Sequence, residues 1–403
     1  MEASVTKAKN PQQAISSERK SIPWYIYSAV IATTCIITGL IWDISWHISI
    51  GRDGLFSPPH ILMYIGGILA GFGGGYLMIK TTFFGSKEER EASVWFWWFR
   101  SPLSALFLVW GALAMMTSAP FDDWWHNAYG LDVKILSPPH AVLALGMVMV
   151  QLGGVMQLLT YQNQLQNTGN HSPEMEKKIR FSRILYIYTI GMLLAILFIL
   201  STEYLNRNYA HASIFYKIGC VMFPLILVAS SKASKLKWPA TTAAGFYMGI
   251  NMFMLWVLPL FPAEPKLGPI INQITHYVPY KFPLLLIVPC FFTDLAFQKI
   301  KDKTLNDWWT SLIVGLVFFF SFLITEWFFA EFMFSSYAAN WFFAADALGY
   351  NWNPDWEHRN SFYPWLEDST TTLLTGLGIA AIFSVTFSRI GYWWGNWMKK
   401  VQR

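Results

Sequence analysis

The feature of this sequence that most limits its fold is a series of ten apolar runs, each about the length that crosses a bilayer as a helix, roughly 20 residues. We therefore predict membrane-spanning helices at about 23–46, 60–82, 102–124, 140–161, 184–204, 213–231, 239–261, 281–298, 308–331 and 371–393. The composition agrees, because 13% of the residues are charged, whereas a soluble domain carries about 25%. The expected fold is an all-α polytopic membrane protein.

The distribution of basic residues predicts how these helices are oriented. Lys and Arg are concentrated in the N-terminal tail, in the even-numbered connections and at the C-terminus. The odd-numbered connections hold fewer: Arg52, Lys134, Arg207, Lys217, Lys266, Lys281 and Arg359. Because cytoplasmic loops carry an excess of Lys and Arg, both termini are expected in the cytoplasm, and the helices form five hairpins that point outward.

The chain is expected to have three parts. Residues 1–22 form a polar cytoplasmic tail, and residues 23–162 form a four-helix part made of the first two hairpins. Residues 163–403 add six further membrane-spanning helices, with an external loop at about 332–370. No part reads as a soluble domain, and no basic groove or phosphate-binding loop indicates nucleic acid.

The first two hairpins carry the same polar pattern where their apolar runs end. In the first, Asp43 and His47 are four residues apart at the end of one helix, and His60 follows Ser-Pro-Pro at the start of the next. The second hairpin repeats the pattern with Asp122, His126 and His140. The third hairpin has only a weak echo of it, in Glu203 and His211.

This spacing has a chemical meaning. Residues i and i+4 share one face of a helix, so a carboxylate and an imidazole can converge on one point. The two prolines pre-set the backbone at the start of the next helix, which brings the last histidine back beside the pair. Two imidazoles and one carboxylate suit non-haem iron, and imidazole equally suits copper or zinc. A charged side chain costs about 2.5–3.5 kcal/mol at the bilayer centre and less near its surface, so metal binding explains the repeated acids better than packing does.

At these residues the sequence resembles the C subunit of the copper membrane monooxygenases, the particulate methane and ammonia monooxygenases. That subunit carries an Asp-x3-His-x12-His motif, with Trp before the first histidine and Arg-Asp in the connection. The matching residues here are Asp43, Trp46, His47, Arg52, Asp53 and His60. The family's second motif, Asn-x3-His-x13-His, matches Asp122, His126 and His140, with Asp in place of Asn. The resemblance covers residues 23–160 at most.

The resemblance implies a site with one or two copper ions, and the residue types also admit iron or zinc. The catalytic ion would be held by Asp43, His47 and His60, and a second ion by Asp122, His126 and His140. Four further residues would orient the imidazoles, neutralise charge or, for Asp123, offer an alternative ligand: Arg52, Asp53, Asp123 and Asp132.

The function implied by this family is oxidation of a small apolar substrate by O2 in a bacterial inner membrane, with the metal sites toward the periplasm. Partners expected from the family are other membrane subunits and a cupredoxin-like or other electron donor; an oligomer is also compatible with the sequence. The main alternative is a membrane protein that binds or transports copper without oxygen chemistry. A haem-binding electron carrier using the four histidines, and a structural subunit whose sites have drifted, are further alternatives.

Overall fold

Most of the predicted apolar runs are long α-helices in a computed structural model of the protein, which describes residues 21–51, 54–130, 137–166, 172–266, 270, 273–301, 303–344 and 364–401. The helices are α1 (Trp24–Ser49), α2 (Pro58–Ile79), α3 (Lys87–Glu91), α4 (Leu103–Tyr129), α5 (Pro138–Gln166), α6 (Pro173–Leu200), α7 (Ser213–Ala233), α8 (Pro239–Val257), α9 (Ile287–Ile300), α10 (Asp307–Met333) and α11 (Thr370–Met398). A short hairpin of β1 (Val94–Phe96) and β2 (Phe99–Ser101) precedes α4.

Nine of the helices in the described part of the chain are long and apolar enough to cross a membrane. They are α1, α2, α4, α5, α6, α7, α8, α10 and α11. This confirms the prediction of an all-α polytopic membrane protein. Helices suit this setting because they satisfy every backbone N–H and C=O within the segment, where lipid offers no hydrogen-bond partner.

Helices α1, α2, α4 and α5 pack as a four-helix unit. This unit contains both hairpins that carry an Asp and two His residues. Helix α1 packs against α2, α2 against α4, α4 against α5, and α5 back against α1. Two amides of α5 close the ring, because Gln151 donates to the carbonyl of Thr33 at 3.1 Å and Gln157 to that of Tyr25 at 3.0 Å. We call the end at which α1 and α4 finish the triad side.

Small residues allow α4 and α5 to approach closely, as is common between helices in lipid. A Cβ placed on Gly146 would lie 2.9 Å from the carbonyl oxygen of Gly111, and one placed on Gly111 would lie 2.7 Å from that of Gly146. Backbone cannot yield as a flexible side chain can, so neither position admits a larger residue without moving a helix. The contact fixes the separation of the two helices that carry Asp122 and His140.

The remaining helices continue the packing away from the four-helix unit. Helix α6 packs against α5 and α8, α9 against α8 and α10, and α11 against α10 and α7. The end of α11 is tied to α5, since the amide of Asn163 donates to the carbonyls of Met398 at 3.2 Å and Val401 at 2.5 Å.

The predicted span at 281–298 differs from the others. Only Ile287–Ile300 is helical there, and residues 277–285 are non-helical although most of their apolar side chains are buried. The cause is Pro279 and Pro283, which lack an N–H and disfavour a helical residue before them. Side chains replace the missing helical bonds: Ser45 donates to the carbonyl of Val278 at 2.5 Å, and the N–H of Val278 donates to Ser49 at 2.8 Å.

The close approach of α4 and α5 leads to a first prediction. Gly146→Ala should destabilise the protein by about 1–3 kcal/mol, the usual cost of overpacking a core, because its methyl group meets backbone of α4. Gly75→Ala on α2 is the matched control, since a Cβ there has nothing within 4 Å. Thermal unfolding of both variants in one detergent, followed by tryptophan fluorescence, checks this; equal midpoints for the two variants would contradict it.

Candidate metal centre

Both triads lie on the triad side, where one helix ends and the next begins. Asp43 and His47 occupy the last two turns of α1, and His60 is the third residue of α2. The second triad repeats this placement with Asp122 and His126 near the end of α4, and His140 as the third residue of α5. The Pro-Pro pair that opens α2 and α5 costs no helical hydrogen bond, because N–H groups in the first turn have no helical acceptor.

The second triad forms a compact cluster. Nε2 of His126 lies 3.5 Å from one carboxylate oxygen of Asp122, and Nε2 of His140 lies 3.4 Å from the other. The two imidazole rings are 6.3 Å apart between centroids. Within the described ranges this is the one group of three whose ligand atoms all lie within 4.8 Å of one another. The sequence spacing alone predicted this meeting of side chains.

The first triad is more open. Nε2 of His60 lies 3.3 Å from Oδ1 of Asp43, and Nε2 of His47 lies 3.7 Å from Oδ2. The side chain of His47 is 50% exposed, whereas that of Asp43 is 14% exposed. The first triad therefore converges on its carboxylate, with one imidazole at the surface.

Backbone carbonyls set the orientation of one imidazole in each triad. Nδ1 of His60 is 3.1 Å from the carbonyl oxygen of Gly54, and Nδ1 of His126 is 3.0 Å from that of Gly130. A carbonyl oxygen can only accept, so Nδ1 donates to it, and Nε2 is the ring nitrogen that faces the carboxylate. This arrangement is common for metal-binding histidines, whose second nitrogen donates to a carbonyl or carboxylate.

Each triad also contains a buried carboxylate oxygen that lacks a hydrogen bond. Oδ1 of Asp43 and Oδ1 of Asp122 are inaccessible to solvent and have no hydrogen-bond partner among the described residues. Each faces an imidazole Nε2, at 3.3 Å in the first triad and 3.4 Å in the second. Buried polar atoms are nearly always paired, so each oxygen calls for a proton or a cation between it and the nitrogen.

The distances favour a metal ion over a shared proton. A charge-assisted N–H···O bond is about 2.7–2.9 Å long. Two ligands about 2.0–2.2 Å from a tetrahedral ion lie about 3.4 Å from each other, which is the spacing of the nitrogen and oxygen atoms here. The donor set and its geometry therefore fit a metal ion in both hairpins, and fit best in the second.

Four further residues were predicted from the sequence to support the metal ligands, and the structure describes one of them. Asp123 is exposed and its carboxylate accepts from the amide of Asn127 at 3.4 Å, so it lies outside the cluster of ligand atoms. Arg52, Asp53 and Asp132 lie outside the described residues.

In the third hairpin the weak echo of the pattern does not form a similar cluster. Glu203 is exposed, and the nearby His211 is buried with its Nε2 3.6 Å from Glu331 of α10. The ring of His211 also packs edge-on against Trp327, with 4.5 Å between centroids. Burial lowers the pKa of His211, and the carboxylate of Glu331 partly opposes that effect. The local sequence holds no signal for Glu331, which is far away in the chain.

Tryptophans stand next to the first histidine of each triad in the sequence. Trp46 packs near Tyr277 with 6.2 Å between ring centroids, and Trp125 packs near Tyr129 with 4.6 Å. Trp124 is exposed, as expected for a tryptophan at the membrane surface. Trp46 and Trp125 are half-buried, whereas Trp124 is exposed.

No family model, curated protein or solved structure matches this chain. The likeness to the C subunit of the copper membrane monooxygenases therefore rests on the residues of the two hairpins.

The carbonyl contact at Gly130 leads to a second prediction. Its φ is 85°, a left-handed conformation that costs a residue with a Cβ about 1–2 kcal/mol. Gly130→Ala should displace the carbonyl that holds His126 and weaken metal binding at the second triad by about 10–100-fold, as changes behind a ligating histidine do. Titration with Zn²⁺ in a His47→Ala background isolates the second triad and measures this affinity.

The matched control is Gly54→Ala, measured in a His126→Ala background. A Cβ on Gly54 has nothing within 4 Å, and its carbonyl holds His60 as that of Gly130 holds His126. We expect Zn²⁺ affinity at the first triad to stay within about twofold. Equal losses at both positions would show that the left-handed φ of Gly130 is not the cause of the weaker binding.

Proposed function

We propose that this protein is a membrane-bound, copper-dependent monooxygenase, or its metal-bearing subunit, which hydroxylates a small apolar substrate with O2. The observation that carries the proposal is the repeated pair of atoms described above: a buried Asp oxygen without a hydrogen bond, facing an imidazole nitrogen across the width of a metal ion. The likeness of both hairpins to the copper membrane monooxygenases favours copper over the iron and zinc that the same ligands would bind.

Each of the two triads would hold one metal ion. Asp43, His47 and His60 would hold the catalytic ion, and Asp122, His126 and His140 a second. Copper bound there supplies the one-electron steps by which O2 can be activated. Three protein ligands would leave coordination positions for other groups, and the side chain of His47 in the first triad is 50% exposed.

Hydroxylation sets requirements on the rest of the system. One oxygen atom of O2 enters a C–H bond and the other leaves as water, so each turnover consumes two electrons and two protons. We propose that a partner protein, cupredoxin-like or another donor, supplies the electrons. We also expect further membrane subunits. The apolar substrate would reach the site through the bilayer, into which the nine long helices place the protein.

The location follows from the charge distribution. The excess of Lys and Arg at the termini and in the even-numbered connections favours a cytoplasmic position for that end of the bundle. The triads would then lie toward the periplasm of a bacterial inner membrane, where a soluble electron donor can reach them.

A second candidate function is handling or transport of copper without oxygen chemistry. It is favoured by the exposure of one histidine in each triad, since the side chains of His47 and His140 are 50% and 36% exposed. An accessible ligand lets an ion exchange with a carrier. Incorporation of oxygen from O2 into a product separates the two functions.

The test uses membranes from cells that express the full chain, loaded with copper and supplied with NADH as the source of reducing equivalents. Ethene is the probe, and ¹⁸O-labelled ethylene oxide formed under ¹⁸O2 is measured by gas chromatography and mass spectrometry. His60→Ala should lower product formation at least 100-fold, because it removes a ligand of the catalytic ion.

His276→Ala is the matched control for this experiment. His276 is also a histidine on the triad side, and its exposed ring has a hydrogen bond with the neighbouring Thr275 hydroxyl, at 2.9 Å. Its removal should leave product formation unchanged. Copper bound at the triads without ¹⁸O in any product would contradict the oxygenase and favour copper handling.

A further inference from the structure

A cavity of about 350 Å³ lies on the triad side, outside both triads. The non-helical segment 277–285 forms one wall, and the loop between α6 and α7 and the end of α10 form the others. Non-helical backbone at membrane depth is tolerated where it is buried in protein or lines a cavity, and interrupted helices often surround ligand sites. The break in the predicted span is therefore a reason to examine the chemistry of this cavity.

Two basic side chains line the cavity together. Arg207 is fixed at the wall, since its guanidinium donates to the carbonyl of Met333 at 3.1 Å and lies over the ring of Phe334. The ammonium of Lys281 makes a single long hydrogen bond, 3.4 Å to the carbonyl of Thr202, and no ion pair within the described part of the chain. The charge of Arg207 acts on Lys281, so two like charges are held near each other.

An acidic side chain lines the same cavity at a more buried position. Glu326 is 2% exposed, and its Oε1 has no hydrogen-bond partner among the residues described. The carboxyl group also faces the backbone N–H of Leu285, and Glu326 is one of the residues that line the cavity. A buried acceptor without a partner costs about 1–3 kcal/mol, and a donor on a bound molecule would remove that cost.

The wall between these groups is apolar and aromatic. Phe282, Phe329 and Phe343 pack against one another, with ring centroids 5.6 Å apart for the first pair and 5.1 Å for Phe282 and Phe343. A mostly apolar cavity with a few converging polar groups is the usual form of a small-molecule site. The polar groups here specify a ligand with an anionic group and a hydrogen-bond donor.

We infer that this cavity binds a phosphate ester that carries a hydroxyl or ammonium donor, with the phosphate on Arg207 and Lys281 and the donor on Glu326. Arg and Lys are the residues that proteins use to bind phosphate. The chemistry is shared by lipid headgroups such as phosphoglycerol and by free glycerol phosphate. The site is distinct from the metal triads and requires no metal ion.

The experiment has two arms, both with the full chain. In the first, the protein in phosphatidylcholine nanodiscs is titrated with glycerol 1-phosphate, and binding is measured by calorimetry. In the second, native mass spectrometry measures retention of phosphatidylglycerol against phosphatidylcholine, whose headgroup has the phosphate but no donor. Saturable binding in the first arm identifies a free ester, and selective retention in the second identifies a lipid.

Lys281→Gln is the main variant, because its weak hydrogen bond to Thr202 contributes little to folding. It should lower affinity at least tenfold in whichever arm shows binding. Lys266→Gln is the matched control: Lys266 is an exposed lysine on the same side, it does not line the cavity, and its backbone N–H bonds to Ile50. This variant should bind as the wild type does.

Glu326→Gln tests whether the hydroxyl or ammonium group of the ligand donates to Glu326. The N–H of Leu285 requires an acceptor, so it holds the amide oxygen of Gln and turns the amide NH2 toward the cavity. The wild type should prefer glycerol 1-phosphate to methyl phosphate, and the variant should lose that preference. Absence of binding in both arms, or wild-type affinity in Lys281→Gln, would overturn the inference.

Discussion

The absence of water in the bilayer is the constraint on which the rest of this structure depends. Every N–H, C=O and carboxylate at membrane depth must find its partner inside the protein. Helices meet that demand for the backbone. Where Pro279 and Pro283 prevent a helix, Ser45 and Ser49 of α1 supply the missing bonds to Val278. Among the described residues, the buried polar atoms without a hydrogen bond include carboxylate oxygens of Asp43, Asp122 and Glu326, whose charge makes them informative about ligands.

Two sites on the triad side point to ligands of opposite charge. The Asp oxygens of the triads face imidazole nitrogens across a distance that suits a metal ion. The cavity beside the non-helical segment instead gathers Arg207 and Lys281, which suits an anion. The two regions meet on α1: Ile48 lines the cavity, and the neighbouring His47 belongs to the first triad. An anion bound in the cavity would therefore lie next to the helix end that carries the first triad.

Local patterns in the sequence were enough to predict the membrane helices and the two triads. Hydropathy identifies a span because about 20 apolar residues are needed, and the i, i+4 spacing places Asp122 beside His126 whatever the rest of the chain does. The same reasoning predicted a span at 281–298, where only Ile287–Ile300 is helical. Apolar composition does not distinguish a helix from buried non-helical backbone. The closely spaced Pro279 and Pro283 were the signal in the sequence that a helix does not begin at 281.

Contacts between distant parts of the chain could not be predicted. Nothing near His211 in the sequence points to Glu331, and nothing near Lys281 points to Arg207 or Glu326. The carbonyls of Gly54 and Gly130 that orient His60 and His126 depend on the path of each connection. The sequence showed a glycine in the second connection, but the reason for it is the left-handed φ of Gly130.

The measurement that tests the central claim most directly is X-ray absorption at the copper edge, on protein loaded with copper in nanodiscs. The geometry predicts copper bound by nitrogen and oxygen atoms, with multiple-scattering features of about two imidazoles per ion. His126→Ala should remove one ion and leave the spectrum of the other unchanged. A spectrum without imidazole scattering, or one unaffected by His47→Ala and His126→Ala together, would show that the triads do not bind the metal.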